Sequence, residues 1–177
     1  MAQGATVWLV GMMGAGKSAV GRELARRLGR PFLDTDREIE ALRGVAIAEI
    51  FAREGEEAFR ALEREMVERF AGRPAVVALG GGALARRELR RIVGEVGTLV
   101  WLRARPETLL ARIGACEARP LLAGLAAEER LARIRTLLAA READYARANV
   151  VVETDAATLG EVAERIERAL AEREAAA

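Results

Sequence analysis

The sequence contains no histidine, one cysteine and one lysine, and each scarcity excludes a class of chemistry. Without histidine, neither a His-based catalytic triad nor a zinc site with histidine ligands can form. Cys116 alone can build neither an internal disulfide nor a multi-cysteine metal site, and we assign it no chemistry. No apolar run approaches the roughly 20 residues of a membrane span, and the formal net charge is only +1. We therefore expect a cytoplasmic protein that binds neither membranes nor nucleic acids.

The only lysine, Lys17, lies in the segment Gly11-Met12-Met13-Gly14-Ala15-Gly16-Lys17-Ser18. Every other basic residue is arginine, whose planar fork is wider than a lysine ammonium. The segment fits the pattern GxxxxGK[ST], in which glycines aim backbone N–H groups at phosphates and the lysine reaches the same phosphates. An ordinary glycine turn before a helix is the alternative. The pattern predicts a site for a nucleoside triphosphate, with the Ser18 hydroxyl available to Mg²⁺.

The length of 177 residues is typical of one domain, which we expect to span residues 1–177. The alternation of predicted strands and helices indicates the α/β class. Short β-rich runs are predicted as buried strands at 6–10, 32–33, 75–79, 98–102 and 150–152. Predicted helices cover 17–28, 47–51, 56–70, 107–113, 128–147 and 159–170, and 114–127 is predicted to be a mobile loop. This alternation favours a parallel sheet whose ligands bind at the carboxyl ends of the strands.

Two aspartates, Asp34 and Asp36, follow the second predicted strand. Ser18 and Asp34 are a plausible pair of oxygen ligands for Mg²⁺. We expect an extended strand end here, in which residues two apart point to the same side, so that Asp36 can accept a hydrogen bond, and the proton, from a substrate hydroxyl. A solvated turn or a helix N-cap is the alternative.

Arginine recognises carboxylates bidentately, and two arginines are candidates for this role. Arg60 and Glu63 are three residues apart on a predicted helix, so Glu63 can orient the guanidinium; a surface ion pair is the alternative. Arg141 and Tyr145 are four apart on a later helix and could equally make ordinary surface and core contacts.

Two further segments have glycine or proline in suggestive positions. Gly80-Gly81-Gly82 permits a close approach of backbone to ligand, although it could also be a flexible turn. Arg119, before Pro120, could belong to a lid that closes over the transferred phosphate, or could be an exposed loop residue.

Taken in order, these motifs resemble the shikimate kinase family over nearly the whole chain. The matching segments are GMMGAGKS at 11–18, DTD at 34–36, IAEIFAREGEEAFRALE at 47–63, GGGA at 80–83, RPLLAG at 119–124 and L-x2-R-x3-Y at 138–145. The resemblance implies a three-layer P-loop kinase fold with a five-stranded parallel sheet, a small substrate-binding subdomain at about 34–63 and a lid at about 113–127. It also implies transfer of the ATP γ-phosphate to the 3-hydroxyl of shikimate.

The resemblance also implies a role for each matching residue. Lys17 would contact phosphate in the transition state, Ser18 and Asp34 would serve Mg²⁺, and Asp36 would hold the shikimate hydroxyls and act as base. Arg119 would be the catalytic lid arginine, and Phe51 and Phe59 would wall the ring of the substrate. The implied ATP-binding residues are Gly11, Gly14, Ala15, Gly16, Lys17, Ser18, Ala19, Arg112, which would stack on adenine, and Arg119. The implied shikimate-binding residues are Asp36, Arg60, Gly80, Gly81, Gly82 and Arg141.

The sequence departs from the family pattern at two places. Ala19 stands where many relatives carry threonine, and Ala156-Ala157-Thr158 replace an adenine-loop Arg and Pro. A gluconate-type or nucleotide kinase of the same fold is the alternative enzyme. An alternative of a different class is a GTPase switch or regulatory NTP-binding module that turns over no small molecule. Guanine recognition by the NKxD element is excluded because Lys17 is the only lysine. We expect a monomer.

Overall fold

The computed structural model describes residues 5–113, 121–122 and 124–176. In this part of the chain one sheet is formed by five strands in the order β2-β3-β1-β4-β5. The strands are β1 (Val7–Val10), β2 (Phe32–Asp34), β3 (Val76–Ala78), β4 (Thr98–Arg103) and β5 (Val150–Glu153). Every neighbouring pair is parallel, which confirms the predicted α/β sheet.

Helices flank the sheet and connect its strands. They are α1 (Lys17–Leu28), α2 (Thr35–Arg43), α3 (Ile47–Phe70), α4 (Arg87–Glu95), α5 (Pro106–Ile113), α6 (Ala127–Tyr145) and α7 (Leu159–Ala175), with a 3-10 turn at Ala83–Ala85. None of the helices in the described ranges combines the length and the apolar character that crossing a bilayer requires.

The hydrophobic core forms around the central strand β1, whose four side chains are at most 2% exposed. Helix α1 packs against α7 and β3, and at Gly21 it approaches the sheet closely. A Cβ at that position would lie 2.3 Å from the ring of Phe32, so a larger residue would push the helix away from the strands. The buried stripe predicted for α3 is present: Phe59, Leu62, Met66 and Phe70 are all buried. These contacts hold the carboxyl ends of β1, β2 and β3 at one edge.

Three elements were not predicted from the sequence: α2, α4 and the 3-10 turn. Ile39 is the only large apolar side chain that α2 buries, and α4 buries Leu89 and Val93 among arginines and glutamates, so neither helix carries a wide apolar stripe. The predicted helices at 47–51 and 56–70 belong to one continuous element, interrupted at Gly55, whose φ of 84° is not helical. In the predicted loop at 114–127, residues 114–120 and 123 lie outside the described residues, and α6 already begins at Ala127.

Candidate active site

The segment Gly11–Gly16 connects β1 to α1 and wraps the amino end of that helix. Gly11 and Gly14 have φ of 146° and 81°. A Cβ at Gly11 would lie 2.6 Å from the Leu102 carbonyl oxygen, and one at Gly14 would lie 2.7 Å from the Leu109 carbonyl oxygen. Only glycine fits at both positions. The loop therefore exposes backbone N–H groups at a helix N-terminus, an arrangement that favours phosphate.

Lys17 is the first residue of α1, and its side chain folds back over the loop. Its Nζ donates to the Gly11 carbonyl oxygen at 2.8 Å and to the Met12 carbonyl oxygen at 3.4 Å. Ala15 of the loop is buried, whereas Ala19 is exposed on the first turn of α1. The ammonium is thus held in the concavity that the loop encloses.

Ser18 and Asp34 meet beside this loop. Ser18 Oγ donates to Asp34 Oδ2 at 2.9 Å. Asp34 ends β2 and is also the N-cap of α2, where it accepts a bond from the Arg37 backbone nitrogen at 3.5 Å. The two oxygens are hard donors of the kind that Mg²⁺ prefers, so this pair could hold the ion.

The prediction of an extended strand end holds for Asp34, which ends β2 with extended backbone, but was wrong for Asp36. Helix α2 begins at Thr35, and Asp36 occupies its first turn. Aspartate is favoured at an N-cap and in the first turn, because its charge interacts well with the free N–H groups and the helix dipole. Of the alternatives considered, the N-cap applies to Asp34, which contacts Ser18 at the same time.

Asp36 has a buried oxygen, Oδ1, with no hydrogen-bond partner among the described residues. Burial raises the pKa of Asp36, the neighbouring Asp34 carboxylate raises it further, and Lys17 opposes the shift. Gly80 lies directly against this carboxylate: a Cβ there would be 2.9 Å from Asp36 Oδ1 and 2.9 Å from Glu63 Oε1. An unsatisfied buried acceptor at a cleft indicates a place where a ligand hydroxyl can donate.

Thr35 is a buried residue beside the site that the sequence did not single out. Its side chain is fully buried; Oγ1 donates to the Ala78 carbonyl oxygen at 3.3 Å and accepts from the Gly80 backbone nitrogen at 3.2 Å. It fixes the start of α2 to the end of β3. Since the Gly80 N–H is already bonded to Thr35, Gly80 contributes close approach to Asp36 rather than a free donor. Only its place between two aspartates could have drawn attention to Thr35.

Two guanidinium groups converge on Gly81 and Gly82 from different helices. Arg60, on α3, donates from Nη1 to Glu63 Oε2 at 2.9 Å, so the pair predicted from the spacing is present. A Cβ at Gly82 would lie 3.5 Å from Arg60 Nη2 and 3.7 Å from Arg141 Nη2, and one at Gly81 would lie 3.0 Å from Arg141 Nη1. The positive charges of Arg60 and Arg141 repel each other at this distance, and a carboxylate bound between them would offset that repulsion.

The end of α6 contacts both the glycine segment and the phosphate loop. Tyr145 is buried, and its hydroxyl donates to the Gly81 carbonyl oxygen at 2.6 Å. Arg141 Nη1 lies 3.4 Å from Met12 Sδ. The i,i+4 spacing of Arg141 and Tyr145 is the only sequence signal for these contacts, and the part played by Met12 was missed. Arg141 therefore contacts both the phosphate loop and the glycine segment, so the two predicted ligand sites are adjacent.

Phe51, Phe59 and Arg112 were also predicted from the sequence, and each has a defined contact. Phe51 and Phe59 have ring centroids 4.8 Å apart. Arg112 donates from Nη1 to Thr154 Oγ1 at 2.9 Å, and from Nη2 to the Thr154 carbonyl oxygen. Thr154 is a further position that the sequence did not single out. Arg119 lies outside the described residues.

A phosphate loop between the central strand of a parallel sheet and the following helix is the defining feature of the P-loop kinase fold, and this chain has it between β1 and α1. Residues 13–171 match the family described as "Shikimate kinase". The chain belongs to the shikimate kinase family.

Individual relatives agree with the family match. Shikimate kinase of Symbiobacterium thermophilum is 50% identical over 93% of this chain and 95% of its own length. Shikimate kinase of Moorella thermoacetica is 47% identical over 92% of both chains. A solved structure of shikimate kinase from Acinetobacter baumannii in complex with shikimate has a TM-score of 0.89 at 36% identity, and covers 97% of this chain and 95% of that one.

Proposed function

We propose that this chain transfers the γ-phosphate of ATP to the 3-hydroxyl of shikimate, giving shikimate 3-phosphate and ADP in the route to chorismate and the aromatic amino acids. The observation that carries the proposal is the convergence of Arg60 and Arg141 on Gly81 and Gly82, beside the unpartnered oxygen of Asp36. Shikimate offers a carboxylate and ring hydroxyls at opposite ends, which such a cleft can bind separately.

The carboxylate is proposed to bind between Arg60 and Arg141. Guanidinium groups bind a carboxylate with two hydrogen bonds each, and the Gly81 and Gly82 backbone N–H groups are further donors beside them. Gly80 provides close approach on the same segment. Glu63 supports the site because it fixes the Arg60 guanidinium through a 2.9 Å bond. Phe51 and Phe59 are the apolar wall proposed for the ring.

At the other end of the ring, Asp36 is proposed to accept a hydrogen bond from the reacting hydroxyl. Its Oδ1 is buried and has no partner in the described ranges, so a substrate hydroxyl is the group that satisfies it. As the hydroxyl oxygen attacks the γ-phosphorus, its proton passes to Asp36. The residue therefore orients the nucleophile and removes the proton from it.

The polyphosphate is proposed to bind the 11–19 segment, with Lys17 at the β- and γ-phosphates and backbone N–H groups around them. Lys17 Nζ already lies over this loop. The implied ATP contacts there are Gly11, Gly14, Ala15, Gly16, Lys17, Ser18 and Ala19. Arg112 is proposed to stack on adenine, and Arg119 to reach the phosphates from a lid at 113–127. The substrate-binding subdomain is proposed at 34–63.

Ser18 and Asp34 would hold Mg²⁺, since their oxygens lie 2.9 Å apart next to the phosphate loop. When bound, this ion neutralises negative charge on the phosphate oxygens. Asp34 is held in place by β2 and by its bond to the start of α2.

We further propose that the protein is a cytoplasmic monomer.

An acceptor-selectivity assay tests the proposal. ADP release is measured with ATP and each of shikimate, gluconate and the nucleoside monophosphates, against a blank without acceptor. We expect ADP release with shikimate and with none of the other acceptors. Turnover with gluconate or a nucleoside monophosphate but not with shikimate contradicts the proposal and favours the alternative kinases of this fold.

A further inference from the structure

Arg90, on α4, lies where three segments of the chain meet. Its Nη1 donates to the carbonyl oxygens of Leu84 at 2.6 Å and Ala85 at 3.0 Å, and to Asp144 Oδ1 at 3.0 Å. Leu84 and Ala85 form the 3-10 turn that follows Gly80–Gly82, and Asp144 belongs to α6. The Arg90 guanidinium therefore connects α4, the 3-10 turn and α6.

Asp144 is adjacent in sequence to residues that reach the acid-binding end of the cleft. Tyr145 follows it and donates to the Gly81 carbonyl oxygen at 2.6 Å, and Arg141 precedes it by less than one helical turn. Helix α6 is thus attached at two points: Tyr145 bonds to Gly81, and Asp144 is linked through Arg90 to the 3-10 turn that follows the glycines. Sliding or rotation of α6 would break both attachments and carry Arg141 away from Gly81.

The Arg90–Asp144 pair is better shielded from water than Arg91–Glu95, an ion pair formed within the same helix. Its side chains are 25% and 23% exposed, whereas those of Arg91 and Glu95 are 67% and 58% exposed. Shielding reduces screening of the interaction, and the two carbonyl acceptors limit the positions that Arg90 can adopt. The Arg91–Glu95 pair joins neighbouring turns of α4 and connects no other element.

We propose that Arg90 and Asp144 are positioning residues for the acid-binding end of the site, which hold α6 so that Arg141 faces Gly81 and Gly82. The inference rests on the proposed function, because it assumes that Arg141 binds the substrate carboxylate. Both residues line a groove of about 500 Å³ whose described lining includes neither Arg141 nor any of Gly80, Gly81 and Gly82. They therefore act through Arg141.

The preference for a free carboxylate over its ester measures the arrangement of Arg141 separately from general stability. We compare kcat/KM for shikimate and shikimate methyl ester in the wild type, Asp144→Ala, Asp144→Asn and Glu95→Ala. The wild type prefers the acid. Asp144→Ala reduces that preference roughly threefold to tenfold, while its KM for ATP stays within about twofold. Asp144→Asn keeps an acceptor oxygen and retains most of the preference. Glu95→Ala, in the exposed pair on α4, retains all of it.

The double variant Arg90→Ala/Asp144→Ala provides a second measurement. Since both substitutions remove one bridge, its acid preference is expected to match that of Asp144→Ala rather than to fall by a further factor. A wild-type preference that Asp144→Ala leaves unchanged overturns the inference. So does a parallel rise of both KM values together with a fall in Tm. A wild type that does not distinguish acid from ester contradicts the proposed carboxylate site itself, and the inference falls with it.

Discussion

The carboxylate of Glu63 lies beneath the guanidinium of Arg60 at 2.9 Å, and only 1% of the Glu63 side chain is exposed. The same guanidinium also contacts Glu56 at 3.1 Å, but the Glu56 side chain is 61% exposed. Burial raises the pKa of Glu63, and its hydrogen bond to Arg60 opposes that shift. One arginine therefore has a buried partner that fixes it and a solvated partner that contributes little.

This difference predicts unequal effects of two otherwise identical substitutions. Glu63→Gln removes the charge that orients Arg60, and we expect the KM for shikimate to rise at least about tenfold. Glu56→Gln changes a solvent-screened pair, and we expect a change of less than about twofold. Steady-state kinetics with saturating ATP measure both. Equal effects would mean that the orientation of Arg60 does not depend on its buried partner.

The lone lysine gives a prediction about shape as well as charge. Lys17→Met fills similar space without the ammonium, and we expect kcat to fall by about 10²-fold or more. Lys17→Arg restores the charge with a wide planar group, and we expect little recovery, because the loop closes around a thin side chain. Single-turnover rates with saturating ATP and shikimate measure both variants. Near-normal turnover in Lys17→Met would refute its role at the phosphates.

Gly80 and Gly94 have different surroundings, so the same substitution at each provides a matched pair of variants. A Cβ at Gly80 would lie 2.9 Å from both Asp36 Oδ1 and Glu63 Oε1, so Gly80→Ala must displace a carboxylate at the centre of the site. We expect a fall in kcat/KM for shikimate of about tenfold or more. At Gly94, on α4, a Cβ would meet no described atom within 4 Å. Gly94→Ala should keep full activity and stabilise the fold by up to about 1 kcal/mol. Full activity in Gly80→Ala would contradict the assigned geometry.

The features that the sequence predicted well are the local ones. The apolar residues Val20, Leu24 and Leu28 are four apart, and α1 ends at Leu28, before Gly29, whose φ is 64°. The pairing of Arg60 with Glu63 requires only the geometry of a helix. In each case the interacting groups lie within a few residues, so spacing alone determines whether they can meet.

Contacts between distant segments could not be predicted in this way. Arg141 reaches Met12 across 129 residues of sequence, and Thr35 bonds to Ala78 and Gly80 across more than 40. Such contacts depend on how the strands are ordered in the sheet and how the helices pack, which no local spacing encodes. The start of α2 was missed for a different reason. Asp34 caps this helix and Asp36 lies in its first turn, but the helix buries little apolar surface and so leaves no stripe in the sequence.

The Ser18–Asp34 contact predicts how the enzyme depends on Mg²⁺. Asp34→Asn keeps an acceptor oxygen for the start of α2, since asparagine is as good an N-cap as aspartate, but it removes a negative charge from the metal site. We expect the Mg²⁺ concentration for half-maximal activity to rise about tenfold or more while Tm changes little. Ser18→Ala should have a similar effect, and Ser18→Thr, which keeps the hydroxyl, a much smaller one. Titration of activity with Mg²⁺ after treatment with a chelator measures all three. An unchanged Mg²⁺ requirement in both Asp34→Asn and Ser18→Ala would mean that the 2.9 Å pair serves only to join α1 to β2.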